Sequence, residues 1–161
     1  MQPLPITRLT PEILLTAYKA GIFPMSNSRR NKDVFWVNPE LRAIIPLDNF
    51  HVPKNLKKQI RKQRFEISFD RSFKKVIQAC ARPRSPDNET WINEEIIVSF
   101  IELFNLGYGH TVECWENNKL VGGLYGLAIG SAFFGESMFS LVPNASKVAL
   151  VNLIKNLNEK G

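Results

Sequence analysis

The sequence predicts an α+β fold, a mostly antiparallel sheet flanked by helices. Three observations carry this. Residues 108–115 alternate apolar and polar side chains, and two apolar runs follow, 120–130 and 131–140, rich in aromatic and branched residues. With turns at 116–119 and near Gly130-Ser131, they read as a three-stranded antiparallel meander. Phe65-Glu66-Ile67-Ser68-Phe69 alternates in the same way. The segments between carry helical periodicity behind recognisable caps.

In chain order, Thr10-Pro11-Glu12 starts a helix with a hydroxyl N-cap, a proline in the first turn and an acid at the positive helix end. Its apolar face is Ile13, Leu14 and Ala17, and Gly21 closes it. Gly21-Ile22-Phe23-Pro24-Met25 reads as an apolar, core-plugging turn, and 26–33 as a polar, basic, mobile loop. Val34-Phe35-Trp36-Val37 and Ala43-Ile44-Ile45-Pro46-Leu47 are expected as two short strands. Residues 1–48 then form a small N-terminal subdomain ahead of a main domain over 49–161.

From Pro53 a helix carries Lys54, Lys57, Lys58 and Arg61 at i, i+3, i+4, i+7 spacing, with Lys62 and Arg64 close by. Leu56 and Ile60 form its apolar edge. Such a stripe either tracks a phosphate backbone or is an ordinary solvated face. After the strand at 65–69, Asp70 is expected to cap a helix that buries Phe73, Val76, Ile77 and Cys80. Residues 82–88 are turn-rich. Trp91 reads as a core anchor or as a stacking surface for a base. Asn93 caps a helix burying Ile97, Phe100, Ile101 and Phe104, and a last helix from about Asn144 buries Leu150, Leu153, Ile154 and Leu157.

The 161 residues suffice for one domain with a real core, and 44% hydrophobic and 22% charged content describe a soluble globular chain. A net charge of +6 and a pI of about 9.5 favour phosphate-rich partners such as nucleic acid or an anionic membrane surface. No apolar run is long enough to span a membrane, and no signal peptide is evident. Cys80 and Cys114 lack the spacing of a disulfide scaffold or a zinc site, which points to the cytoplasm. No P-loop, G-x-G-x-x-G or G-x-S-x-G motif occurs. A coenzyme A acyltransferase would need glycines in the link 141–145 before the last helix, and that link has none.

The second apolar run holds the main candidate for chemistry. Glu136 lies between Phe134 and Met138, so its carboxylate is paired, hydrogen-bonded or raised in pKa, or else it sits on an outer face. Four glycines in the run before it imply close approach by a ligand or a neighbouring element.

Several blocks then match one family in order: Gly21-Ile22-Phe23-Pro24-Met25; Trp36 with Pro39 and Arg42-Ala43; Thr90-Trp91-Ile92; His110 with Val112-Glu113; 120–130; Gly135-Glu136-Ser137-Met138-Phe139-Ser140; and Ala145-Ser146-Lys147. The chain resembles the bacterial leucyl/phenylalanyl-tRNA–protein transferases from about Leu9 onward. The resemblance implies an acetyltransferase-like (GNAT-type) catalytic domain behind a small N-terminal domain. It also implies transfer of leucine, phenylalanine or methionine from tRNA to proteins beginning with Arg or Lys, which marks them for degradation. The expected partners are aminoacyl-tRNA and those acceptor proteins, with no membrane, metal or cofactor, and the expected state is a monomer.

Carried over by position, Glu136 is the catalytic candidate, ordering hydrogen bonds around the reacting amine or its partner residue. Leu124, Phe133 and Met138 line the amino-acid pocket, Trp91 packs near the terminal adenosine, Trp36 belongs to the substrate site, and Lys54, Lys57, Lys58, Arg61, Lys62 and Arg64 meet tRNA phosphates. Strict alternation separates Phe133 from Glu136, and a bulge at Gly135 would reunite them. Val37 replaces a second tryptophan common in the family. The family continues into strands with an Asp-x-Gln motif, so the sequence is expected to be a truncated form lacking C-terminal strands, the other reading being a natural short form with impaired activity. The alternative is a non-catalytic tRNA-binding module.

Overall fold

A computed structural model describes residues 8–85 and 89–161. The elements are α1 (Pro11–Lys19), β1 (Phe23–Met25), β2 (Phe35–Val37), α2 (Lys54–Arg61), β3 (Glu66–Phe69), α3 (Phe73–Cys80), α4 (Glu94–Asn105), β4 (Gly109–Glu116), β5 (Lys119–Ile129), β6 (Ala132–Ser140) and α5 (Ala145–Lys160). The last three residues of the turn-rich loop, Pro86-Asp87-Asn88, lie outside the described residues, as do 1–7 of the expected N-terminal subdomain.

The expected meander is present, and β3 adds to it beside β4, giving an antiparallel sheet in the order β3-β4-β5-β6. Asn117 and Asn118 join β4 to β5 with φ of +50° and +61°, a two-residue turn that asparagine tolerates well. One face of the sheet packs Tyr125 and Leu127 under α1, α3 and α4, around Leu14, Tyr18, Phe73, Ile77, Ile97 and Phe100. The other packs Val112, Cys114 and Leu124 under α5, with Leu56 and Ile60 of α2 at its margin. No helix among the described residues is long and apolar enough to cross a membrane.

Thr10 accepts from the Ile13 N–H and Asn93 Oδ1 from the Ile96 N–H, as their N-cap positions predict. Four other expectations fail. Residues 43–47 form no strand: Pro46 lacks a donor, and no strand among the described residues pairs with them. The partner of β2 is instead β1, inside the segment expected as a plain turn. Asp70 does not cap α3: its Oδ1 accepts from the Thr111 N–H and its Oδ2 lies 2.9 Å from His110 Nδ1. On α1, Ile13 is exposed and Tyr18 takes its place in the core.

The loop 26–33, expected to be mobile, is hydrogen-bonded to the rest of the fold. Ser26, 2% exposed, donates from Oγ to the Asp33 carbonyl at 2.8 Å, and its N–H donates to the Trp91 carbonyl. Arg29 reaches the Ile92 carbonyl and Glu94, and Asn93 Nδ2 donates to the Asn31 carbonyl. These bonds hold the loop against the entry to α4 and hold Trp91 in place.

Candidate active site

The site begins with a register shift. Tyr125 pairs with Ser137 and Gly126 with Gly135, which leaves Glu136 as the extra residue of a bulge in β6. The expected bulge is therefore real, one residue beyond Gly135. It lets Phe133 and Glu136 face a single cleft of about 840 Å³. β6 and its hairpin form the floor of this cleft. Arg42, Ala43, Ile44 and Ile45 form one wall, and Leu150, Leu153, Ile154 and Leu157 of α5 another, with Tyr18 and Trp91 also on the lining.

Two glycines make this packing possible. A Cβ at Gly126 would strike the Phe134 carbonyl and stand 2.5 Å from the Phe133 ring, so only glycine lets that ring lie over β5. A Cβ at Gly122 would overlap the Ala145 methyl, so glycine also seats the start of α5 on the sheet. The close approach inferred from these glycines is by neighbouring elements.

Burial pushes the Glu136 carboxyl from its ordinary 4.5 up to about 7, against smaller opposing pulls from the Tyr18 hydroxyl and the Arg42 guanidinium. Arg42 donates to the Gly21 carbonyl and stands over the Phe23 ring, 5.6 Å from its centroid. Among the described residues the buried hydroxyls of Tyr18 and Tyr125 have no hydrogen-bond partner, and both sense Glu136. At neutral pH Glu136 thus divides between neutral and ionised forms and can accept or release a proton.

Of the residues named from sequence, Glu136, Phe133 and Trp91 meet at the cleft. Leu124 and Met138 pair across β5 and β6 and pack with Phe133 beneath α5, behind the cleft wall rather than on it. Trp36 pairs with Pro24 in the β1–β2 ladder and packs on the opposite core. The basic stripe divides. Lys58 and Lys62 line a second groove of about 530 Å³ with Lys147 and Asn144, and Lys54, Lys57 and Arg61 are exposed outside that lining. Arg64 turns away to Glu116, with Nη2 3.3 Å from Oε2, and stands over the Phe65 ring.

Tyr18, Arg42 and the apolar 44–45 wall were not assigned roles from the sequence. Tyr18 could have been found as the i+4 neighbour of Leu14 on the apolar face of α1. Glu113 was also missed. It is fully buried and accepts from Ser68 Oγ (2.6 Å), Thr111 Oγ1 (2.5 Å) and the Ser72 N–H (3.0 Å), tying β3, β4 and the start of α3 together. Among the described residues no group of three or more His, Cys, Asp or Glu side chains could hold a metal ion.

The family model for leucyl/phenylalanyl-tRNA protein transferase matches residues 44–161, and that for the N-terminal domain of the same proteins matches 7–40. This chain belongs to the leucyl/phenylalanyl-tRNA–protein transferase family. The protein of that name from Paramagnetospirillum magneticum is 54% identical over 153 residues, covering 95% of this chain and 73% of the relative. The one from Rhodospirillum rubrum is 50% identical over 153 residues, covering 95% and 72%. The one from Zymomonas mobilis is 52% identical over 149 residues, covering 92% and 56%. The cleft around Glu136 therefore lies in a member of an aminoacyltransferase family.

Proposed function

We propose that this chain transfers leucine, phenylalanine or methionine from aminoacyl-tRNA to the α-amino group of a protein beginning with Arg or Lys, marking that protein for degradation. The observation that carries the reading is Glu136, extruded by a bulge into a cleft walled by Trp91 and Phe133. A cationic amine is the natural occupant of a carboxylate held in a largely apolar site. Once the amine has given up a proton its nitrogen attacks the aminoacyl ester carbonyl, the peptide C–N bond forms, the ester C–O bond to the tRNA 3′ end breaks, and the departing 3′ oxygen takes up a proton. The ester carries its own leaving group, so the protein's share is positioning and proton handling, and the reading calls for no metal or cofactor.

In this reading Glu136 orders the hydrogen bonds around the reacting amine, and Trp91 offers a face to the terminal adenosine. Phe133 borders the amino-acid side chain, with Leu124 and Met138 shaping the pocket from behind it. Trp36 contributes through the β1–β2 ladder. Lys54, Lys57, Lys58, Arg61 and Lys62 meet tRNA phosphates, with Arg64 contributing less because Glu116 already engages it. The architecture is of acetyltransferase type, with 1–48 as a small subdomain before a catalytic part over 49–161, in a monomeric cytoplasmic protein.

The test is transfer of labelled leucine from leucyl-tRNA to a peptide with N-terminal arginine, with an N-terminal acidic peptide as control. Transfer confined to the arginine peptide supports the reading. Binding of leucyl-tRNA without transfer would leave a tRNA-binding module, and the absence of both transfer and binding would refute the reading.

A further inference from the structure

Tyr18, on the last turn of α1, is 3% exposed, and its hydroxyl has no partner among the described residues. Its ring is held edge-on by Phe134 (centroids 5.3 Å apart, 74° between planes) and by Phe100 (6.3 Å, 80°). Phe134 lies two residues before the bulged Glu136, so the contact that fixes the tyrosine ring also ties it to the bulge. Phenylalanine would fill the same space without burying an unpaired hydroxyl, which is a costly group to leave unmatched. The hydroxyl therefore has a use beyond packing.

The groups that face Glu136 are Tyr18 from α1, Tyr125 from β5 and Arg42 from the segment before α2. Arg42 is exposed and engaged with the Gly21 carbonyl, so it acts on Glu136 through charge. Tyr125 is fully buried beneath the sheet and does not reach the cleft lining. Tyr18 alone of the three is a buried donor on the cleft wall.

We propose that Tyr18 is a positioning residue for Glu136: its hydroxyl donates a hydrogen bond to the ionised carboxylate, holding one oxygen so that the other faces the amine in the cleft. The proposal deepens the reading of Glu136 as the residue that meets the acceptor amine and rests on it. The N-terminal segment would thereby supply a part of the site through a side chain that touches neither substrate.

The experiment follows the Glu136 carboxyl directly by 13C NMR titration of the free protein, with the resonance assigned by its loss in Glu136→Gln. Because the bond favours the ionised form, Tyr18→Phe should move the midpoint up by about one pH unit, with melting temperature unchanged or raised. In the wild type, the Tyr18 Cζ resonance should move through the same midpoint, a readout that needs no variant to fold. Coincident titrations of wild type and Tyr18→Phe, or a Tyr18 resonance indifferent to Glu136, would overturn the proposal. In the transfer assay the acidic limb of the pH profile should shift with the carboxyl while leucyl-tRNA affinity holds, whereas a purely structural tyrosine would lower activity equally at every pH. A protein without transfer activity would remove the functional reading and still leave the titrations to decide the contact.

Discussion

Replacing Glu136 by glutamine should make the folded protein more stable at neutral pH while removing its activity. The carboxyl rises from 4.5 to about 7 on folding, chiefly because burial strips it of water. Below pH 4.5 both folded and unfolded chains hold the proton, and the group makes no difference. As pH climbs toward 7 the unfolded chain releases its proton while the folded chain retains it, so stability is lost through this window and stays lost above it. At about 1.4 kcal/mol per pH unit, the full penalty is about 3 kcal/mol above pH 7. Glutamine keeps the shape, can still accept from Tyr18 and carries no charge, so it escapes the penalty. Urea unfolding of wild type and Glu136→Gln from pH 4.5 to 8 should show curves that coincide at the acid end and separate as pH rises. At neutral pH the gain corresponds to about 2–4 °C in melting temperature per kcal/mol for a chain of this size. Transfer of leucine should fall sharply at every pH. A gap that does not change with pH, or a less stable glutamine variant throughout, would refute the burial argument, and undiminished transfer would refute the role assigned to Glu136.

Three further outcomes follow from the packing and the charge. Gly126→Ala forces a methyl against the Phe134 carbonyl and the Phe133 ring; it should cost about 1–3 kcal/mol in urea unfolding and raise the KM for leucyl-tRNA more than it changes tRNA affinity. Glu113→Ala strands two hydroxyls and one N–H that now share a buried carboxylate, so it should cost about 3 kcal/mol or more, with Glu113→Gln losing less because it still accepts. Lys57→Ala with Arg61→Ala should reduce the slope of log affinity against log salt by about 1–2 in a tRNA-binding titration, and an unchanged slope would move the tRNA path to other residues.

The sequence by itself determined the local elements and the family. Alternation has a period of two and helices a period of 3.6, and both can be read without knowing any partner, so β3 to β6 and the buried faces of α3 and α4 were legible. The Thr10 and Asn93 caps were legible for the same reason, since each satisfies an N–H three residues away. The Gly135-Glu136-Ser137-Met138-Phe139-Ser140 block pointed to the family and to Glu136 because its chemistry is unusual for a strand. What the tertiary structure decided were choices among competing partners. Asp70 had a helix to cap and was taken by Thr111 and His110, and Arg64 belonged to a basic stripe and was taken by Glu116. β1 formed only because β2 came alongside it. Tyr18, given no role by the sequence, came to line the same cleft as Glu136. A bulge changes neither composition nor local pattern. It appears only when two strands pair and one has a residue to spare, and here that spare residue is Glu136.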